Sequence, residues 1–386
     1  MTGQVILYGG KLSLYTARVR SYLRHQRIAF TERASGSDRA FKVIYPAIGR
    51  RIIPVVELAD GTLLQDGSLI IDHFETSGLR RFPVYPDDPA LNVVARLFDL
   101  FGNEGLVRPA MHYRWNLPEQ TPFVRHIFRE ALPLGKNEAE NDADFEKLSG
   151  FLRKYTAMIG TTAENAAMIE AAYLDFLDRL NAHFAVMPYL LGGGPTIADY
   201  ALFGPLFAHL GRDRLPLALM QECAPYVFDW TERMNAFEDI EDAVSVAWGG
   251  GMVDLEDPPA TLVSLLNYVA EEYSTEYAAH HAFCDQWLGK KPNEVIEGHR
   301  VIGMTQIELR GAKIPVPVKA YRHFLSQRMT DAFDDAPRTA QGTVRALFTR
   351  CGLEPFLDRR LPRRVGWRNY LEVWEPFEAA PDQKRA

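Results

Sequence analysis

Residues 5–8 form a short apolar run closed by Gly9 and Gly10, the pattern of a buried strand that gives way to a loop. From residue 14 to 23, Tyr15, Val19, Tyr22 and Leu23 recur at helical spacing while Arg18, Arg20 and Arg24 take the other side, which predicts a helix. Residues 29–33 read as a second strand. Residues 52–58 are β-branched and apolar apart from Pro54, which removes a ladder donor, so this strand begins after the proline or bends there. Asp60-Gly61 is a hairpin turn signal between strands at 55–58 and 62–64. A helix over residues 67–75 follows. The predicted order is β-α-β, a link, then β-β-α, ending near residue 78.

Prolines 83, 86 and 89 crowd the next connector and mark a domain boundary. Residues 90–248 carry only helical patterns, the clearest being Ile169, Tyr173, Phe176, Leu177, Leu180 and Phe184 on one face. Gly249-Gly250-Gly251 marks a second break. Beyond it the pattern is mixed: helices over about 260–289, 320–334 and 338–351, with a hairpin of 301–309 and 314–318 whose Pro315 and Pro317 make the second strand an edge. Three units follow, 1–80, 90–248 and 252–386. That division suits 386 residues at 47% hydrophobic and 24% charged, an ordinary globular composition.

Charge and cysteines narrow the chemistry. A net charge of −7 leaves a polyanion partner dependent on a local basic patch. Arg359, Arg360, Arg363 and Arg364 make one, but beside Trp367 and Tyr370 they suit the solvated face of a packed surface helix, so no nucleic acid is expected. Cys223, Cys284 and Cys351 are few, odd in number and widely spaced, which points to a reducing, cytoplasmic setting without a disulfide framework. The sequence shows neither a signal peptide nor an apolar run long enough for a membrane span. His280, His281 and Cys284 form one short cluster without a partner of matching spacing, so no metal is expected. No Walker or dinucleotide glycine motif occurs.

Several features in order resemble the glutathione transferases. They are Leu7-Tyr8 at a strand end, Ser13-Leu14-Tyr15-Thr16 opening a helix, Ile53-Pro54-Val55-Val56, and Gln65-Asp66-Gly67-Ser68 opening the last helix of the unit. Thr196-Ile197-Ala198-Asp199, after Leu191-Gly192-Gly193-Gly194, is similar to the buried capping box of that family's helical domain. The resemblance spans residues 4 to 245. It implies an α/β thioredoxin-like N-terminal domain and an all-α helical C-terminal domain, with an additional mixed α/β C-terminal extension to which it assigns no chemistry. It also implies glutathione as co-substrate, a small hydrophobic electrophile, and a homodimer working in detoxification.

The resemblance further implies a set of roles. Ser13 hydrogen-bonds the glutathione thiolate as a donor, with Tyr8 the competitor for that role; a plain helix N-cap is the other reading of Ser13. Pro54 carries a cis bond and Ile53 pairs its backbone with the cysteinyl unit. Asp66, Gly67 and Ser68 hold the γ-glutamyl end, although Gly67 stands where Ser or Thr is usual and Asp66 also reads as a helix cap. Arg51, or equally Arg50, meets the glycyl carboxylate. Leu14 replaces a common proline. The electrophile is expected against Phe101, Met111, His112, Tyr113 and Trp115, which core packing also explains. Addition, substitution, ether cleavage and peroxide reduction share the thiolate and stay open, as does a non-catalytic scaffold on the same fold.

Overall fold

The computed structural model describes residues 4–291, 296–297 and 300–376; the polar tail from 380 to 386, expected to fray, lies outside them. β1 (Val5–Gly9), α1 (Leu14–His25) and β2 (Phe30–Ala34) open the chain. The link is a π-helical turn (Ala40–Ile44) running into α2 (Tyr45–Ile48), and β3 (Val55–Glu57), β4 (Leu63–Gln65) and α3 (Gly67–Thr76) complete the unit. The strands form one sheet in the order β2-β1-β3-β4. β1 runs parallel to β2 and antiparallel to β3, so α1 is the crossover that a parallel pair requires. Strand alternation then sorts the side chains. Leu7 and its partner Val56 enter the main core under α1, whereas the next pair, Tyr8 and Val55, enters a smaller core with Ile44, Tyr45 and Ile48.

The polar side of α1 departs from expectation. Arg18 and Arg20 are buried, Arg18 against Asp99 and Arg20 against Glu32. A charge at such a position is tolerated when it is paired and hydrogen-bonded.

Helices α4 (Pro89–Glu104), α5 (Val107–Trp115), α6 (Thr121–Phe128), α7 (Glu138–Met158), α8 (Ala166–Phe184), α9 (Ile197–Pro205), α10 (Arg214–Cys223), α11 (Pro225–Asn235) and α12 (Ala243–Trp248) follow. The apolar face read for α8 is buried throughout. α9 is buried at every position and crosses α4 at Gly102, where a Cβ would lie 2.6 Å from the backbone of Ala201. Only glycine permits that approach. The Thr196/Asp199 capping box is formed, and the Asp199 carboxylate also accepts from Leu190 N–H at 2.9 Å and Trp230 Nε1–H at 3.3 Å.

After Gly251 the chain turns back on the 189–193 turn, where Val253 N–H donates to Leu191 O at 3.0 Å. α13 (Ala260–Leu288), β5 (Ile296–Glu297), the antiparallel pair β6 (Gly303–Leu309) and β7 (Ala312–Val318), α14 (Ala320–Asp334), α15 (Arg338–Cys351), α16 (Glu354–Asp358), β8 (Arg363–Arg368) and β9 (Leu371–Pro376) complete the fold. β8 corrects an expectation: Arg363 and Arg364, read as part of a helix, lie in a strand of the sheet β5-β9-β8. Asn369 and Tyr370, at φ 49° and 63°, make the two-residue turn that folds β8 onto β9.

One hydrophobic core runs from Val5 to Trp374, so the extension is built into the same interior as the first two units. α14 lies on α4, and ion pairs tie it down: Arg328 to Asp72 of α3 at 2.6 Å, and Lys319 and Arg322 to Glu104 of α4 at 2.6 and 3.0 Å. Among the described residues no helix is long and apolar enough to cross a membrane.

Candidate functional site

A cleft of about 520 Å³ opens between the sheet domain, the helical domain and the extension. That size suits a small-molecule ligand. Its floor is the loop Gly10–Ser13 with the start of α1. Ser13 is the N-cap: its Oγ accepts from Thr16 N–H at 3.1 Å, which leaves the hydroxyl proton free to donate. The loop is fastened from both sides, since Ser13 N–H donates to Gly10 O at 3.1 Å and Arg114 Nη1 donates to Leu12 O at 2.8 Å. Arg114 is itself held bidentately by buried Asp213 at 2.9 and 2.8 Å.

Ile53 and Pro54, joined by a cis bond, line the cleft with Ser13. Asp66 and Gly67 line it at the start of α3. The Asp66 carboxylate caps that helix, accepting from Ser68 N–H at 2.8 Å, and Asp66 sits at φ 84°. Burial pushes its carboxyl above the usual range, opposed by the charge of Arg18 and by hydrogen bonds that include the Tyr321 hydroxyl. Ser68 is fully buried behind this end, its Oγ accepting from Arg18 Nη1 at 3.2 Å.

The other candidates divide by helix face and strand face. On α5, Met111 and Trp115 line the cleft with Val107, one turn apart each, whereas His112 and Tyr113 point to α8. His112 Nε2 meets Glu170 at 2.9 Å and Tyr113 packs edge-on to Tyr173. Phe101 stands in the core among Phe176, Tyr268 and Tyr273. Tyr8 faces the small core, its hydroxyl donating to Glu57 Oε2 at 2.8 Å; burial and that carboxylate push its phenol up. Arg51 is turned outward onto Ala131 O at 2.6 Å and the Phe41 ring. Arg50 takes the cleft position, with Nη2 on Gln65 Oε1 at 2.7 Å.

Several lining residues escaped the sequence reading. Leu152, Tyr155 and Met158 of α7 form a stripe on an otherwise charged helix, and that helical spacing was the available signal. Tyr15, taken as a core position, also faces the cleft; burial and the neighbouring Tyr155 push its phenol up, so it stays neutral. Arg300, Lys319, Tyr321, Trp367 and Glu372 come from the extension, where no local pattern announces a role in a site built near residue 13. Against the burial that raises it, Lys319 and Arg322 hold the Glu104 carboxyl below the usual range. Among the described residues no cluster of His, Cys, Asp and Glu is placed to hold a metal ion.

Residues 7–77 match the family model of the glutathione S-transferase N-terminal domain. That stretch of the chain, from β1 to the end of α3, is therefore a glutathione S-transferase N-terminal domain. No curated protein matches the chain. Among solved structures it is similar to the beta-etherase LigF of Sphingobium sp. strain SYK-6, at 16% identity over 64% of this chain and 99% of that one, with a TM-score of 0.45. It is also similar to a glutathione S-transferase of Xanthobacter autotrophicus Py2, at 23% identity over 61% and 95% with a TM-score of 0.36. FzlA of C. crescentus follows at 14% identity over 67% and 97%, with a TM-score of 0.40.

Proposed function

We propose that the protein is a glutathione transferase of the reducing cytoplasm, acting as a homodimer, in which Ser13 stabilises the glutathione thiolate for attack on a hydrophobic, aromatic electrophile. The observation that carries this reading is Ser13 itself: it caps the first helix, faces the cleft beside Ile53-Pro54, and keeps a proton to donate. A free thiol has a pKa near 8.5, and lowering it by about 2 units needs about 2.7 kcal/mol. A helix N-terminus supplies about 0.3 to 1 kcal/mol, and a hydrogen bond to a charged group adds about 1.5 to 3 kcal/mol. Together the two reach the requirement, which the helix N-terminus alone does not.

The tripeptide has a place for each part. Its cysteinyl backbone pairs with Ile53, and its γ-glutamyl ammonium meets Asp66 while the carboxylate of the same unit meets Gly67 N–H at the start of α3. Its glycyl end meets Arg50. The electrophile lies against Val107, Met111, Trp115, Leu152, Tyr155 and Met158, an apolar wall that suits an aromatic molecule. Attack by the sulfur then forms the thioether and releases the leaving group toward solvent.

Thiolate absorbance on mixing glutathione with the protein tests this. Wild type is expected to show bound thiolate at neutral pH, and Ser13→Ala to lose it while still binding the tripeptide. A Ser13→Ala protein that ionises the thiol as wild type does contradicts the assignment.

A further inference from the structure

The β8–β9 hairpin brings two side chains onto Arg50. Glu372 Oε2 accepts from Arg50 Nη1 at 2.9 Å, with side-chain exposures of 7% for Glu372 and 17% for Arg50. The Trp367 ring lies 5.8 Å from the guanidinium carbon. Tyr370, at the hairpin turn, packs on the small core behind the sheet, so the hairpin is seated on the N-terminal domain. Both Glu372 and Trp367 also line the cleft.

The pairing is incomplete. Arginine binds a carboxylate best through two parallel N–H bonds, yet Glu372 engages one Nη, Gln65 takes the other, and the buried Nε–H has no acceptor. Glu372 therefore neutralises Arg50 without saturating it. An incoming carboxylate meets a like charge already in place, in a site with little water to screen it.

We propose that Glu372 is an internal counter-anion at the glycyl end of the tripeptide site and competes with the ligand's own carboxylate for Arg50. The favoured ligand class is then a γ-glutamyl-cysteinyl thiol whose C-terminal carboxyl is masked as an amide or ester. This rests on the tripeptide reading above, and it makes the extension a determinant of thiol specificity.

Calorimetric titration of the full chain with reduced glutathione and with its glycyl monoethyl ester tests it, in wild type and in Glu372→Gln. Wild type is expected to bind the ester at least as tightly as the acid. Glu372→Gln is expected to bind the acid about tenfold more tightly, with the ester unchanged within about twofold. A wild type that prefers the acid by about tenfold or more overturns the proposal, as does a variant whose two affinities move together. If Glu372→Gln does not fold, the order of the two ligands on wild type decides. Failure of wild type to bind either ligand overturns the tripeptide reading itself, and the proposal with it.

Discussion

Arg18 ties three helices at the head of the cleft. From α1 it reaches Asp99 of α4 at 2.7 Å, Asn103 Oδ1 at 3.1 Å and Ser68 Oγ of α3 at 3.2 Å, with 2% of its surface exposed. Both charges of the Arg18–Asp99 pair are out of water, so removing one strands the other. Arg18→Met is expected to cost about 3 to 5 kcal/mol, and Arg18→Met/Asp99→Leu to recover most of it. Urea denaturation of the three proteins measures this, and a double variant as unstable as the single one contradicts it. Arg114 does comparable work beneath Ser13, because it holds Leu12 O as well as Asp213. Such side chains set where the hydroxyl of residue 13 sits without touching a ligand.

At the scale of elements, α9 shows how far a local pattern reaches. Thr196 N–H and hydroxyl donate to Asp199 Oδ2 at 2.9 and 3.1 Å, as the spacing of the two residues implies. Leu190 N–H and Trp230 Nε1–H converge on Oδ1 from outside the helix, and nothing in the local sequence announces them. Thr196→Ala is expected to cost about 1 kcal/mol. Asp199→Ala should cost several times as much, because it strands buried donors on three segments. Equal melting temperatures for the two variants would contradict that ordering. The same contrast explains what the sequence reveals of the whole. The strand and helix order up to residue 76 follows from local periodicity and turn residues, and Ser13, Ile53, Pro54, Asp66 and Gly67 do reach one cleft. Tyr8 and Arg51 do not, because strand alternation and one step of backbone register send them elsewhere. His112 and Tyr113 show the helical version: they neighbour Met111 in sequence but sit on the other face of α5. The contributions of Tyr321, Trp367 and Glu372 depend on docking across some 300 residues of chain, which periodicity does not encode.

Across the whole molecule, the single core running through the extension makes buried titratable groups a common liability. Burial pulls His25, His183 and His281 down to about 4 and His323 to about 3, from 6.5. The unfolded chain therefore takes up these protons first as the solution is acidified. The stability they contribute is complete above 6.5 and is lost as pH falls toward 4. Asp199, raised to about 6 by burial against its donors, acts in the opposite sense, gaining stability as pH falls below that value. Burial raises Asp66, Asp213 and Glu272 too, but with His209 and His280 also lowered the six histidines outnumber these four carboxyls. Denaturation midpoints are expected to drop between about pH 7 and about pH 5, and a flat or rising profile would contradict this. The seating of the extension on α3, α4 and Arg50 also predicts one cooperative thermal transition in calorimetry; two separate transitions would show that the extension unfolds on its own. The role of Ser13 is decided by a crystal structure of the protein with glutathione bound. The sulfur is expected within hydrogen-bonding distance of Ser13 Oγ and the cysteinyl backbone paired with Ile53. A tripeptide seated elsewhere, or a sulfur turned toward Tyr15 or Tyr155 with Ser13 untouched, would contradict it.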